Sequence, residues 1–209
     1  MPGTDSTGEI SYRNEVIRKA IHLCSLSIPI IYHFVTRDLA LMMLVPVTIF
    51  VLVVDLGRYA HPALGGWFNT LFGWLLRKHE SDRGRKRLNG ATYVLISATL
   101  CVLFFPKPVM ITAFSVLVLG DLTAALIGRR FGRHKLFNKS WEGTIAFFLV
   151  GFAAVSLNPY ALQGARGVAL GAFAVAVGAF VEALPWPIDD NFSVPISVGM
   201  VLWAGQLVM

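Results

Sequence analysis

Within residues 119–144, LGDLTAALIGRRFGRHKLFNKSWEGT, one carboxylate interrupts an apolar run and a dense group of cations follows it. Asp121 is that carboxylate; Arg129, Arg130, Arg133, Lys135 and Lys139 are the cations, and Glu142 opens the next apolar run. Glu182 ends a later run, Asp189 and Asp190 follow it in PWPIDDNFSVP, and Asp55 ends an earlier one. Acids and cations gathered at one depth are what a metal-bound polyphosphate requires, with cations for the phosphate oxygens and carboxylates for Mg²⁺. Asp121 sits about 6 residues, roughly 10 Å, inside the end of its run. A charge in hydrocarbon is costly, so Asp121 is a functional candidate by default.

The neighbours of these charges sharpen the reading. Asp121, Ala125 and Gly128 share one helix face at spacings of four and three, which leaves room beside the carboxylate. Gly128 and Gly132 bracket RRF. Glycines there allow positive φ and close backbone approach to a phosphate, although a helix-ending Gly128 or a small-residue packing pair is the plainer alternative. Asn138 or Ser140 is placed to cap the following helix, whose free N–H groups then face the loop, with Lys139 beside them. Glu142 also suits a helix N-terminus through the dipole alone, and Asp55 also reads as a span end paired with Arg58. GxxxxGK[ST] is absent, as is a Gly-rich kinase loop with HRD and DFG.

The elements that position these residues are apolar. The chain has 209 residues, 56% hydrophobic and 14% charged, with mean hydropathy +0.65. That composition predicts an all-α, polytopic membrane helical bundle, one integral membrane domain over 1–209 with residues 1–10 disordered. Seven spans are expected near 20–35, 39–55, 91–106, 109–127, 143–158, 167–184 and 194–209. Residues 62–76, with Trp67, Leu71 and Trp74 at helical spacing, read as an interfacial helix. Cys24 and Cys101 fall inside spans and read as small buried hydrophobes. No cleavable signal peptide is visible. With the N-terminus inside, only Arg37, Lys107 and Arg166 lie outside among the basic residues, which sets a cytoplasmic N-terminus and a cytoplasmic site. The 77–87 run reads as a solvated, lipid-facing charge run. The basic residues lack interleaved stacking aromatics, which argues against nucleic acid. Nothing assigns an oligomeric state.

Gly120, Asp121, Ala124, Gly128, Arg129, Phe131, Gly132, Lys139, Ser140, Glu142 and Gly143 resemble the GD-x-x-A-x-x-x-G-[RK]-x-[FY]-G and KS-x-EG segments of the membrane lipid kinases, the family of dolichol kinase, phytol and farnesol kinases and CTP-dependent diacylglycerol kinase. Arg18, Lys19 and His22 look like that family's opening RK-x-x-H element, and Glu182, Asp190, Asn191 and Pro195 like its closing element; Asn89 and Gly90 sit at a span entry often found there. The resemblance covers nearly the whole chain beyond residue 10.

It implies phosphoryl transfer to the hydroxyl of a membrane lipid alcohol, with CTP as donor, a divalent metal such as Mg²⁺, and membrane lipids as surroundings. Carried residue by residue, it implies nucleotide contacts at Gly128, Arg129, Gly132, Lys139, Ser140 and Gly143, and the basic loop adds Arg133 and Lys135 as candidates for triphosphate contacts. Asp121 and Glu142 are then first choices for the metal or for orienting the attacking hydroxyl, with Asp189 and Asp190 next. Arg18, Lys19, His22, Glu182 and Asn191 would contact lipid or phosphate, though Arg18 and Lys19 also read as topology determinants and His22 as a packed residue. The related phosphatidate cytidylyltransferases are the alternative, but their acidic signature with a P-G-H-G-G core is missing. A transporter or structural protein is the non-enzymatic alternative; transporters often carry internal repeats, and the GD…KS-x-EG pattern occurs once.

Overall fold

A computed structural model describes residues 12–72, 88–157 and 164–208. Its helices are α1 (Tyr12–Cys24), α2 (Ser27–Phe34), α3 (Arg37–Ala60), α4 (Pro62–Phe72), α5 (Gly90–Phe104), α6 (Lys107–Phe131), α7 (Trp141–Ser156), α8 (Gly164–Ala183) and α9 (Asp190–Val208). A two-stranded antiparallel hairpin, β1 (Lys135–Leu136) and β2 (Lys139–Ser140), joins α6 to α7. Four helices, α3, α6, α8 and α9, are long and apolar enough to cross a membrane. Helices α5 and α7 are apolar but shorter, at 15 and 16 residues, or about 24 Å at 1.5 Å per residue.

The run expected as a single span over 20–35 is divided. Pro29 has no N–H to return to the carbonyl of Ser25, and the Ser25 hydroxyl is spent on the carbonyl of His22. The chain turns at Ser25–Leu26 and restarts as α2. Cys101 is buried as expected, whereas Cys24, at the end of α1, is exposed. Helix α4 matches the start of the expected interfacial helix and leaves Trp67 exposed. Trp74, the 77–87 run and residues 1–10 lie outside the described residues.

Helix α6 is the centre of the bundle. It packs against α1, α2, α5, α7, α8 and α9, and Met110, Ala113, Phe114, Val116, Leu117 and Val118 on it are completely buried. Its sides are apolar all round because it has neighbours all round. The bundle is closed at other points by local polar bonds. Thr36 caps α3 by accepting from Leu39 N–H at 3.3 Å, and Lys107 donates to the carbonyl of Val35 at the end of α2 at 2.8 Å.

One buried cluster ties α3 and α4 to α5. Asp55 is fully buried, accepts from Asn89 N–H (2.7 Å) and the Thr92 hydroxyl (2.7 Å), and forms an ion pair with Arg58 Nε (2.9 Å). The Arg58 guanidinium lies over the rings of Tyr59 and Phe68. Asn89 meanwhile caps α5 by accepting from Thr92 N–H at 3.0 Å. Asp55 is therefore a clamp on the start of α5, and not a part of the cavity described below. Breaking a buried pair by removing one partner leaves the other charge uncompensated, at about 3–5 kcal/mol. Asp55→Ala is expected to lower stability by that amount, read as a fall in the detergent-solubilised unfolding midpoint.

Candidate active site

Helices α6 and α7 cross almost backbone to backbone. A Cβ on Gly143 would stand 2.8 Å from the carbonyl oxygen of Ala124 and 3.3 Å from Cα of Gly128. A Cβ on Gly132 would meet the Ser140 hydroxyl at 2.8 Å. These glycines are required by close approach. The expected positive φ is not observed: Gly128 lies inside α6, and Gly132 is its C-cap at φ −63°. The left-handed residue of the loop is Phe137, at φ 52°, in the tight turn between β1 and β2. Ser140 caps α7 and accepts from Gly143 N–H at 3.2 Å.

The crossing leaves a cavity of about 380 Å³ at the hairpin end of the bundle, within the usual range for small-ligand sites, roughly 300–1,000 Å³. Of the residues singled out in the sequence, Lys19, Asp121, Gly128, Arg129, Gly132, Lys135, Lys139, Ser140, Gly143, Glu182 and Asp190 line it. The shared face of Asp121, Ala125 and Gly128 is its α6 wall. Asn138, His134 and Thr144 join them. Thr144 was missed, although it lies one helical turn after the cap Ser140 and so shares its face.

The acids of the cavity are paired. Lys19, with a side chain only 7% exposed, contacts Asp121 Oδ2 at 2.5 Å, and His22 Nε2 lies 3.4 Å from the same oxygen. Lys139 reaches Glu182 Oε1 at 2.5 Å and Asp190 Oδ2 at 2.8 Å. Burial works against the Lys139 charge, but the Asp190 and Glu182 carboxylates outweigh it and hold its pKa above the ordinary lysine value. Two oxygens of the lining, Glu182 Oε2 and Thr144 Oγ1, are shielded from solvent and have no hydrogen-bond partner among the described residues.

Arg133, Glu142, Arg18, His22 and Asn191 do not line the cavity. Glu142 accepts from Arg133 N–H (3.1 Å), His134 N–H (3.2 Å) and His134 Nδ1 (2.8 Å). Its own backbone N–H and then the His134 ring bond hold its carboxyl down at about 2. Glu142 precedes the apolar part of α7 and fastens the loop after α6 to the start of α7. Asn191 donates from its side chain to Asp189 Oδ1 at 2.7 Å, which engages Asp189 in a local turn.

Curated proteins resemble this chain over most of its length. An uncharacterized protein of Rickettsia prowazekii (strain Madrid E) is 26% identical over 183 residues, 86% of this chain and 89% of that one. CTP-dependent diacylglycerol kinase 1 of Schizosaccharomyces pombe is 24% identical over 163 residues, 71% and 73% of the two chains. The phytol kinase of Synechocystis sp. (strain PCC 6803) is 33% identical over 133 residues, 59% of this chain and 57% of that one. The chain thus spans little more than half the length of that phytol kinase. No protein-family model matches the chain, and no solved structure does. With most of the motif residues gathered around one cavity, the chain is similar to membrane lipid-alcohol kinases in both sequence and the placement of that motif.

The crossing is testable apart from any activity. Gly143→Val must separate α6 from α7 and is expected to cost about 1–3 kcal/mol as an overpacked contact. Ser140→Ala, which removes only the cap, should cost about 1 kcal/mol. Thermal unfolding of both variants in detergent checks the size and the order of the effects.

Proposed function

We propose that the protein transfers the γ-phosphate of CTP to the hydroxyl of a membrane lipid alcohol, at the cytoplasmic face. The observation that carries this reading is the arrangement of the cavity. The N-terminus of α7, Lys135, Lys139 and Arg129 stand on the hairpin side, and Asp121, Glu182 and Asp190 face them. Phosphoryl transfer is mainly positioning and charge neutralisation, and this set of groups suits both. CTP as donor is supported by the name of the fission-yeast relative. The acceptor class is supported by the diacylglycerol and phytol kinases among the relatives. The cytoplasmic face is supported by the distribution of Lys and Arg.

The α7 N-terminus contributes the positive end of its dipole beside the cavity, while its first N–H groups are held by His134 O, the Glu142 carboxylate and Ser140 Oγ. Lys139 is the cation best placed to neutralise the transferring group, and Arg129 and Lys135 stand nearer the mouth. Mg²⁺ fits the donor set in one form only. Among the described residues no group of three or more His, Cys, Asp or Glu side chains forms a cage. Mg²⁺ does not need one, since it keeps waters and takes one or two carboxylates plus substrate phosphates. Asp121 would hold it, after exchange with Lys19, and the ion would supply charge neutralisation at the phosphates. Glu142, already engaged by the loop, is a positioning residue in this reading.

The test uses the full chain in detergent with γ-labelled CTP or ATP, Mg²⁺, and phytol, a polyprenol, dolichol or diacylglycerol. Label is expected in a lipid phosphate from CTP, and Asp121→Asn should reduce it by about 100-fold or more. Label entering lipid only from α-labelled CTP with phosphatidate would replace this reading with a cytidylyltransferase. Glu142→Gln should raise the KM for CTP and leave the Mg²⁺ concentration dependence unchanged; a shifted Mg²⁺ dependence would return Glu142 to the metal.

A further inference from the structure

The deep end of the cavity has its own chemistry. Phe147 of α7 is fully buried. A Cβ on Gly120 of α6 would stand 2.7 Å from its ring, and one on Gly178 of α8 would stand 3.6 Å from it. The ring therefore fills the space between three helices. Gly151 of α7 meets Val175 of α8 at 2.8 Å by the same measure. Moving back along α7 thus moves forward along α8, and the two helices are antiparallel. One turn from Phe147 toward the hairpin brings Thr144 on α7 and Glu182 on α8 to the same level, with Asp121 following Gly120 on α6.

At that level lie the two unpartnered oxygens. Glu182 is only 3% exposed; its Oε1 takes Lys139, and its Oε2 has no partner among the described residues. Thr144 Oγ1 is in the same condition. The Phe147 ring offers neither of them a hydrogen bond. Buried polar atoms in folded proteins nearly always have partners, so these two define a ligand by what they lack. The carboxylate oxygen only accepts, whereas the threonine hydroxyl both donates and accepts. A phosphate oxygen would meet the Glu182 charge unfavourably. A hydroxyl group satisfies both atoms, by donating to Glu182 Oε2 and accepting from Thr144 Oγ1.

We infer that the acceptor alcohol docks its hydroxyl between Glu182 and Thr144, an inference that rests on the kinase reading above. Glu182 is then the catalytic residue that receives the proton. The alcohol oxygen forms a bond to the γ-phosphorus of the nucleoside triphosphate. The bond from that phosphorus to the β,γ-bridging oxygen breaks, and its electron pair leaves with the nucleoside diphosphate. The hydroxyl proton passes to Glu182 Oε2. Thr144 orients the oxygen lone pair and takes no proton.

The experiment measures steady-state transfer from γ-labelled CTP to phytol in mixed micelles, for the wild type, Thr144→Val, Thr144→Ser and Glu182→Gln. Binding of α-labelled CTP and thermal protection by CTP are followed in parallel. Thr144→Val should raise the KM for phytol about fivefold, as the loss of one hydrogen bond, with the KM for CTP unchanged. Thr144→Ser should restore it. Glu182→Gln should lower kcat by about 100-fold or more while CTP still binds and protects. A changed KM for CTP or a raised Mg²⁺ requirement, with the phytol KM unchanged, would give these oxygens to the nucleotide or metal and overturn the inference. Wild-type kinetics in the valine and glutamine variants would leave them holding water only, and would overturn it too. If Glu182→Gln does not fold, the Thr144 pair decides alone. A wild-type protein that phosphorylates none of the lipid alcohols offered fails the kinase reading itself, a result visible before any variant is compared.

Discussion

The contact between Gly143 and the backbone of α6 is the constraint from which the site follows. Two helices that meet through main-chain atoms must carry glycine or alanine where they meet, and Ala124, Gly128 and Gly143 are those residues. Such an approach leaves no room for a side chain in the angle, and it brings the capped start of α7 against the end of α6. The hairpin is then short because the distance it spans is short. Its turn needs a left-handed residue, and Phe137 takes that conformation without being glycine. The cavity is the remainder of this geometry, closed on one side by α8 and α9.

Buried charge forms the second layer. Two acids of the cavity are matched to cations from distant segments: Asp121 to Lys19 and Glu182 to Lys139. Asp55 is matched locally, to Arg58 one turn away. In a low-dielectric interior an isolated ion would be far too costly, and pairing with additional hydrogen bonds is what makes these positions tolerable. Asp55 has its Oδ2 bonded to Asn89 N–H and the Thr92 hydroxyl and its Oδ1 held against Arg58 Nε, away from the cavity. Glu182 instead presents its Oε2 within the cavity lining, and that placement separates the clamp from the site.

The periodic, local features were legible in the sequence. Apolar runs marked the helices to within a few residues, Ser140 was readable as a cap, and Asp121, Ala125 and Gly128 fell on one face as their spacing required. What was not legible depends on partners far away along the chain. Nothing in NKSWEG tells that Lys139 is held by Glu182 and Asp190, 43 and 51 residues further on. Glu142 is expected near the metal because it is acidic and close to the cations; that it also accepts from the Arg133 and His134 N–H groups depends on how the loop folds back. The break between α1 and α2 was readable in retrospect from Ser25 and Pro29, but a hydropathy window passes over both. The glycines read as sites of phosphate approach and positive φ with helix packing as the plainer alternative, since spacing alone does not distinguish them, and it is the packing contact that the structure shows.

In the proposed function, Lys139 also determines what kind of anion the cavity accepts. By formal charge, Lys19 and Lys139 oppose Asp121, Glu182 and Asp190, so the inner wall carries one negative charge in excess. The outer rim, with Arg129, Lys135 and the start of α7, is positive. A bare anion is drawn to the rim and then opposed further in, because taking Lys139 for itself strands two carboxylates. An anion that arrives with its own cation meets no such opposition, since the carboxylates released from the lysines acquire the cation in return. A site so charged would select for an ion pair, by electroneutrality, ahead of any recognition of shape.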